Sequence, residues 1–213
     1  ESDQITIHYA LETQKTLRSP GAFNDFCRRT FISTNTIQMI ADLRKNLSRE
    51  VSSLGFPDPT AMNQYHNRHD SDQALWQAAI AAGLCPNVAF RKRDEVNFST
   101  RANRKVKIHV SSVNATRGQP LINKCQVPEG ELEFVCFGEM VKGARMFTAN
   151  QTTHLPSALP VLLLCGTSLR VRPRPGDVST AIMNVDDWIM FSCEAETASR
   201  LWILRKRLGS AFW

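Results

Sequence analysis

With 213 residues, 42% of them hydrophobic and 22% charged, the chain holds enough apolar material for a packed core and too much for a disordered tail. Its 26 Lys and Arg outnumber 20 Asp and Glu, and the net charge of +6 favours an anionic partner, nucleic acid ahead of an acidic membrane surface. The longest apolar run, "LPSALPVLLLCG" from Leu155 to Gly166, falls short of the roughly eighteen residues of a spanning helix and is broken by proline, so no membrane partner is expected. The N-terminal "ESDQITIHYALETQK" lacks the basic start, apolar stretch and cleavage site of a signal peptide and, without Met, reads as the start of an excised piece.

In chain order, helical spacing predicts short helices over residues 5–17 and 24–30. From Thr34 to Leu54, Ile37, Ile40, Leu43, Leu47, Val51 and Leu54 recur at steps of three and four, one apolar stripe beneath a charged face. Ser33 or Thr34 is placed to cap its start, and Gly55, Phe56 and Pro57 end it. The polar connection that follows carries "YHNRHD". His66 and His69 stand three apart there, but no third ligand has metal-site spacing, so they read as solvated loop histidines. A fourth helix is predicted over about residues 71–82, completing a small bundle.

Beyond it, β-branched and aromatic runs alternate with turn signals: "NVAFRK", "KVKIHV", "EFVCFGEMV", "ARMFTA", "LRVRP" and "DDWIMFS". Five or six such strands predict a small antiparallel barrel or sandwich. It is interrupted by a short buried helix in "SALPVLLLCG" and a long surface loop in "VNATRGQPLINKCQVPEGE". A closing helix follows, with Ala198, Leu201, Trp202 and Leu208 at helical spacing and Arg205, Lys206 and Arg207 near its C-terminal end. The class is α+β: a helical segment over residues 1–83, then a barrel domain with a C-terminal helix over 84–213. Six widely separated cysteines with apolar neighbours suit buried free thiols in a reducing compartment.

No phosphate-binding loop, dinucleotide turn, zinc-protease or nucleophile-elbow motif occurs, so no catalytic or metal site is assigned. Asp186 and Asp187 are adjacent, and on a strand they would point to opposite faces as a surface pair beside a buried Trp188. The informative feature is instead the crowding of seven basic and two acidic side chains between Arg91 and Lys107. Along Arg104–Val110, alternation puts Val106, Ile108 and Val110 inward and leaves Lys105, Lys107 and His109 on one outer face. Two readings fit: cations that bind a polyanion, or lysines that keep a sheet soluble and its edge unpaired.

Several segments, in order, resemble the C-terminal region of DEAH/RHA-type RNA helicases. "SDQITIHYALETQ" and "DFCRRTFISTNTIQMIADLRKNL" are similar to two segments of that family's helical ratchet. "GLCPNVAFRK", "KVKIHVSSVN" and "FVCFGEMV" are similar to strands of its OB fold, and "LPSALPVLLLCG" and "VDDWIMF" resemble the RNA helicase A and maleless branch. The chain departs from the pattern at Asn35, where many members have Arg, and over residues 115–131, which match nothing in the family. That divergence suggests a distant branch such as the kinetoplastid RNA-editing helicases; the protein is expected to be intracellular, in the mitochondrion if that assignment holds and in no specified compartment otherwise.

The resemblance implies ratchet helices followed by an OB-like barrel that grips single-stranded RNA. It also implies that ATP and Mg belong to motor domains elsewhere in the parent, with no cofactor in this piece. By this implication the RNA-binding set is Arg91, Lys92, Arg93, Arg101, Arg104, Lys105, Lys107 and Arg145, joined by Phe98 as a stacking platform and by His109, Ser111 and Ser112 from the "IHVSS" match. Phe90 and Phe147 are expected in the core, Ser111 and Ser112 as caps as readily as phosphate ligands, and Arg28, Arg29 and Arg44 on ratchet surfaces. Partners implied are single-stranded RNA and the remaining helicase domains. The rival reading is a protein-interaction module that receives a regulatory protein on the loop near Ala115–Gln126.

Overall fold

The computed structural model of the chain describes residues 2–17, 19–58, 65, 68–92, 95–102, 104–115 and 132–212. Two compact units are present, one of residues Gln4–Asp72 and one of Glu1–Asp3 with Gln73–Trp213.

The first unit is helical: α1 (Asp3–Thr16, whose first residue belongs to the other unit), α2 (Pro20–Thr30) and α3 (Thr34–Ser53). Both caps are side-chain caps. Ser19 Oγ accepts from the Ala22 amide ahead of Pro20, and Ser33 Oγ accepts from the Thr36 amide. Leu11, Cys27 and Ile37 are buried among Phe23, Phe26, Ile32 and Ile40. The stripe on α3 is covered only at its start, since Leu43 and Leu47 are each 56% exposed and Leu54 is 75% exposed. A helix of 20 residues is about 30 Å long, against about 21 and 17 Å for the 14 and 11 residues of α1 and α2, so its far end outruns them.

In the second unit, α4 (Gln73–Leu84) packs on the barrel rather than with the N-terminal helices among which its sequence had placed it. Its residues are apolar on most sides, and such a helix needs a broad surface to cover it. Ala81 is fully buried against Val88, Phe134, Cys136 and Leu155.

The barrel is closed in the order β1 (Val88–Lys92), β2 (Phe98–Thr100), β3 (Lys105–Ile108), β5 (Phe147–Leu155), β4 (Leu132–Lys142), and back to β1. All ladders are antiparallel except β3 with β5, which is parallel. Alternation divides the strands cleanly. Ala89, Phe98, Val106, Val135, Phe137 and Ala149 fill the interior, while Val88, Phe134, Cys136 and Leu155 face α4 and the short helix α5 (Leu159–Leu164). The chain start is pinned to the same barrel, where the Asp3 carboxylate accepts from the amides of Val113 and Thr152, both at 2.7 Å.

The last strands do not join the barrel. β6 (Leu169–Arg174), β7 (Asp177–Val185) and β8 (Ile189–Glu194) form a separate antiparallel meander. Its inner face, with Ala181, Met183 and Val185, packs against Leu162 of α5 and Ala198 of the closing helix α6 (Ala195–Phe212). Arg205 of α6 donates to the carbonyls of Leu162, Cys165 and Gly166 and so satisfies the end of α5. The fold class is α+β as the sequence indicated, with eight strands among the described residues rather than five or six.

Asp186 and Asp187 occupy the β7–β8 turn, not a strand, and both take positive φ, 48° and 59°. Asp186 is no surface acid: its side chain is 4% exposed, whereas that of Asp187 is 54% exposed. The Asp186 carboxylate accepts from the backbone amides and hydroxyls of Thr167 and Ser168. Burial alone would raise its pKa, but these bonds outweigh burial and hold it below the ordinary carboxylate value.

Candidate nucleic-acid interface

The parallel ladder sets the site. Val106, Lys107 and Ile108 of β3 lie beside Phe147, Thr148 and Ala149 of β5. On the other side of β5, Val141 and Lys142 of β4 stand opposite Thr148 and Phe147. Two segments distant in sequence, 104–107 and 142–147, are thereby joined at one end of the barrel. Lys105 and Lys107 project outward from β3, between the buried Val106 and the half-buried Ile108. Arg104 lies over the Phe147 ring, 5.0 Å from its centroid. The β4–β5 hairpin, closed by the Gly143 amide on the Met146 carbonyl, carries the exposed Arg145.

The cations are held to different degrees. Lys105 Nζ donates to Ser99 Oγ at 2.9 Å and meets the Glu95 carboxylate at 3.3 Å, yet its side chain remains 52% exposed. Arg101 reaches the Asp186 carboxylate at 3.2 Å. Lys107 and Arg145 have no ion pair among the described residues, and Lys92 stands exposed at the end of β1. Lys142, opposite Phe147 in the ladder, was missed in the sequence; its only signal there was its place immediately before the Gly143 turn of "EMVKGARMF".

Other residues of the set lie elsewhere. Arg91 points into the barrel rather than to solvent: it is 8% exposed, its Nε donates to the buried Glu133 carboxylate, and its guanidinium lies 4.7 Å from the centre of the Phe98 ring. Phe98 is 2% exposed and packs inside the barrel, so it offers no stacking surface. Both follow from alternation, since Arg91 shares the inward side of β1 with Ala89, and Phe98 is the ladder partner of Val106.

β3 ends at Ile108, two residues earlier than the run of alternation suggested. Val110 is therefore 87% exposed, and His109 is half-buried with its Nδ1 on Ser111 Oγ at 2.7 Å. Ser112 is buried on Thr152 Oγ1 and accepts from the Asn114 amide, a turn-capping role. Phe90 and Phe147 pack on core clusters, as expected. Arg28 is paired with Asp25 and Arg44 with Glu12 on the helical unit. Arg93, His66 and the loop proposed as a protein dock, from residue 116 onward, lie outside the described residues.

Burial pushes the thiols of Cys136 and Cys165 up to about 12, far from the thiolate that reacts at neutral pH. The described cysteines are free, with Cys27, Cys136 and Cys165 buried. Among the described residues, no helix is long and apolar enough to cross a membrane.

The strand order β1-β2-β3-β5-β4 with one parallel closure is an oligonucleotide/oligosaccharide-binding (OB) fold, and residues 76–168 match the family of that description. The chain is 31% identical over 160 residues to the DExH-box ATP-dependent RNA helicase DExH1 of Arabidopsis thaliana, covering 74% of this chain and 15% of that protein. It is 25% identical to human ATP-dependent RNA helicase DHX29 over 93% of this chain and 14% of the relative. It is also 25% identical to mouse ATP-dependent DNA/RNA helicase DHX36, over 98% of this chain and 20% of the relative. Residues 76–168 match this OB-fold family, and the chain is similar to the OB-fold region of DEAH/RHA-type RNA helicases, as its segments had indicated. It is a helicase-associated module that spans a small part of the relatives it matches.

Proposed function

We propose that this module holds single-stranded RNA across the outer face of β2 and β3 and the β4–β5 hairpin, on behalf of the ATP-dependent motor domains of a parent helicase. OB folds take oligonucleotides on this face and between the loops that flank it, and the basic residues of this barrel collect at the same place. The observation that carries the reading is the β3–β5 register, which gathers Arg104, Lys105 and Lys107 with Lys142 and Arg145 at one end of the barrel. Lys92 and Arg101 flank this group, and Ser111 with His109 marks the far end of β3.

The recognition is of phosphate rather than base. Lysine and arginine neutralise backbone charge with little regard for sequence, and the aromatic rings near the cluster are packed into the core. The module needs no cofactor of its own in this role; ATP and Mg act in the motors. That the relatives are named as RNA helicases supports RNA as the polyanion.

The test is the salt dependence of binding to a fluorescent single-stranded RNA. Neutralising about four phosphates gives a log–log slope near −3, from roughly −0.7 per phosphate. A slope near zero, or no binding at low salt, overturns the proposal.

A further inference from the structure

The β7–β8 turn joins two groups of arginines. Asp186 holds Arg101 of the β2–β3 loop at 3.2 Å, and its neighbour Asp187 holds Arg170 of β6 at 3.0 Å. Two guanidiniums, one from the barrel and one from the separate sheet, are thus fixed at adjacent residues whose Cα atoms are about 3.8 Å apart. Neither is consumed by its carboxylate. The Arg101 side chain is 52% exposed and that of Arg170 is 72% exposed, and each guanidinium has five donors.

From Arg170 the cations continue along β6. Its register puts Val171 and Pro173 opposite Met183 and Ala181 of the buried inner face, so Arg170 and Arg172 share the outer face opposite Asn184 and Ile182. Arg174 follows beyond the irregularity in the ladder at Pro173. Arg172 and Arg174 are exposed, and neither has an ion pair within 4.0 Å among the described residues. Along a strand, alternate residues are about 6.7 Å apart, which presents guanidiniums in a row rather than as a point. Among the described residues β6 pairs with β7 alone, as an edge of that sheet.

We infer that the basic path does not end on the OB barrel: the same RNA strand continues across the β7–β8 turn onto β6, where Arg172 and Arg174 bind its phosphates. This extension rests on the RNA-binding reading of the barrel. It lies beyond residues 76–168, in the part of the chain outside the OB-fold match. A single polyanionic strand is the occupant favoured by charge, because the cations continue from Lys107, Arg104 and Arg101 of the barrel to Arg170, Arg172 and Arg174 of β6, and the acids beside them are engaged: Asp186 and Asp187 by Arg101 and Arg170, and Asp177, opposite Arg174, by the hydroxyls of Ser179 and Thr180. The alternative is that these arginines only discourage edge-to-edge pairing of β6.

RNA length separates the outcomes. Oligouridines of about 5 and about 20 nucleotides, one at the lower end of the usual site size of one OB fold and one beyond it, are titrated against the whole chain and two charge-reversal variants. R172E/R174E should weaken the long strand about fivefold or more and reduce its salt slope by roughly 1.4, two phosphates' worth, while leaving the short strand unchanged. R172K/R174K, which keeps the charge, should bind the long strand like the parent chain. K105E/K107E should weaken both lengths. If R172E/R174E binds the long strand like the unaltered chain while K105E/K107E weakens both lengths, the extension is wrong and the barrel reading stands. If the unaltered chain binds neither length, both fall.

Discussion

Arg91 of β1 and Glu133 of β4 are ladder partners inside the barrel, the Arg91 Nε on a Glu133 carboxylate oxygen with both side chains at most 10% exposed. A residue of the basic run is thus spent on internal structure. Glu133→Leu strands the guanidinium in a dry interior and should cost about 3–5 kcal/mol, whereas Arg91→Met with Glu133→Leu should recover most of it. Urea unfolding of the three proteins measures this. A single variant as stable as the parent would contradict the buried pair.

His154 faces the other oxygen of the same carboxylate at 3.7 Å, and burial, with nearby positive charge adding to it, pushes its pKa down from 6.5 to about 4. Between those values the unfolded chain binds more protons than the folded one. The His154 contribution is therefore complete above pH 6.5, falls by about 3 kcal/mol as pH drops to 4, and is constant below. The lowered values of Glu12 and Asp186 act largely beneath this window. Urea midpoints across pH 4–7 should show the fall in the parent chain and a shallower one in His154→Asn; equal slopes would contradict it.

Gly166 takes φ +76°, and a Cβ there would lie 2.7 Å from Val185 Cγ1 and 2.9 Å from Asp186 Oδ2. Gly176 has a similar φ of +81° with nothing within 4 Å. Backbone strain of about 1–2 kcal/mol is common to both alanine variants, so the excess loss in Gly166→Ala reports the collision at the Asp186 clasp. Thermal unfolding should place Gly166→Ala clearly below Gly176→Ala, and equal midpoints would show that the clasp yields.

On α3, exposure predicts opposite behaviour for residues of one stripe. Ile37 is 2% exposed, and Ile37→Ala should cost about 2–5 kcal/mol. Leu47 is 56% exposed, and Leu47→Gln should change stability by no more than about 0.5 kcal/mol. Denaturant unfolding followed by helical circular dichroism decides it, and a large loss in Leu47→Gln would mean that the stripe is packed along its length.

What the sequence made legible was local. Ser33 as cap, the helical run to Ser53, the short α5 and the alternation of Lys105, Val106 and Lys107 all follow from spacing and propensity. What it hid was pairing. Nothing within residues 88–92 says that β1 lies beside Glu133, and that register turns Arg91 inward. Nor does spacing alone show that "LRVRP" leaves the barrel for a second sheet, or that Asp186 in a positive-φ turn is a buried clasp rather than a surface acid. Lys142 escaped notice for the same reason, since only the β4–β5 register places it opposite Phe147.

The central claim, a phosphate-binding face built by the β3–β5 register, is tested most directly by acetylation footprinting with and without single-stranded RNA. Lys105, Lys107 and Lys142 should each lose reactivity when RNA is added, while Lys206, exposed on α6 over Trp202, should not. Unchanged reactivity at all three lysines under saturating RNA, or equal loss at Lys206, would contradict the account.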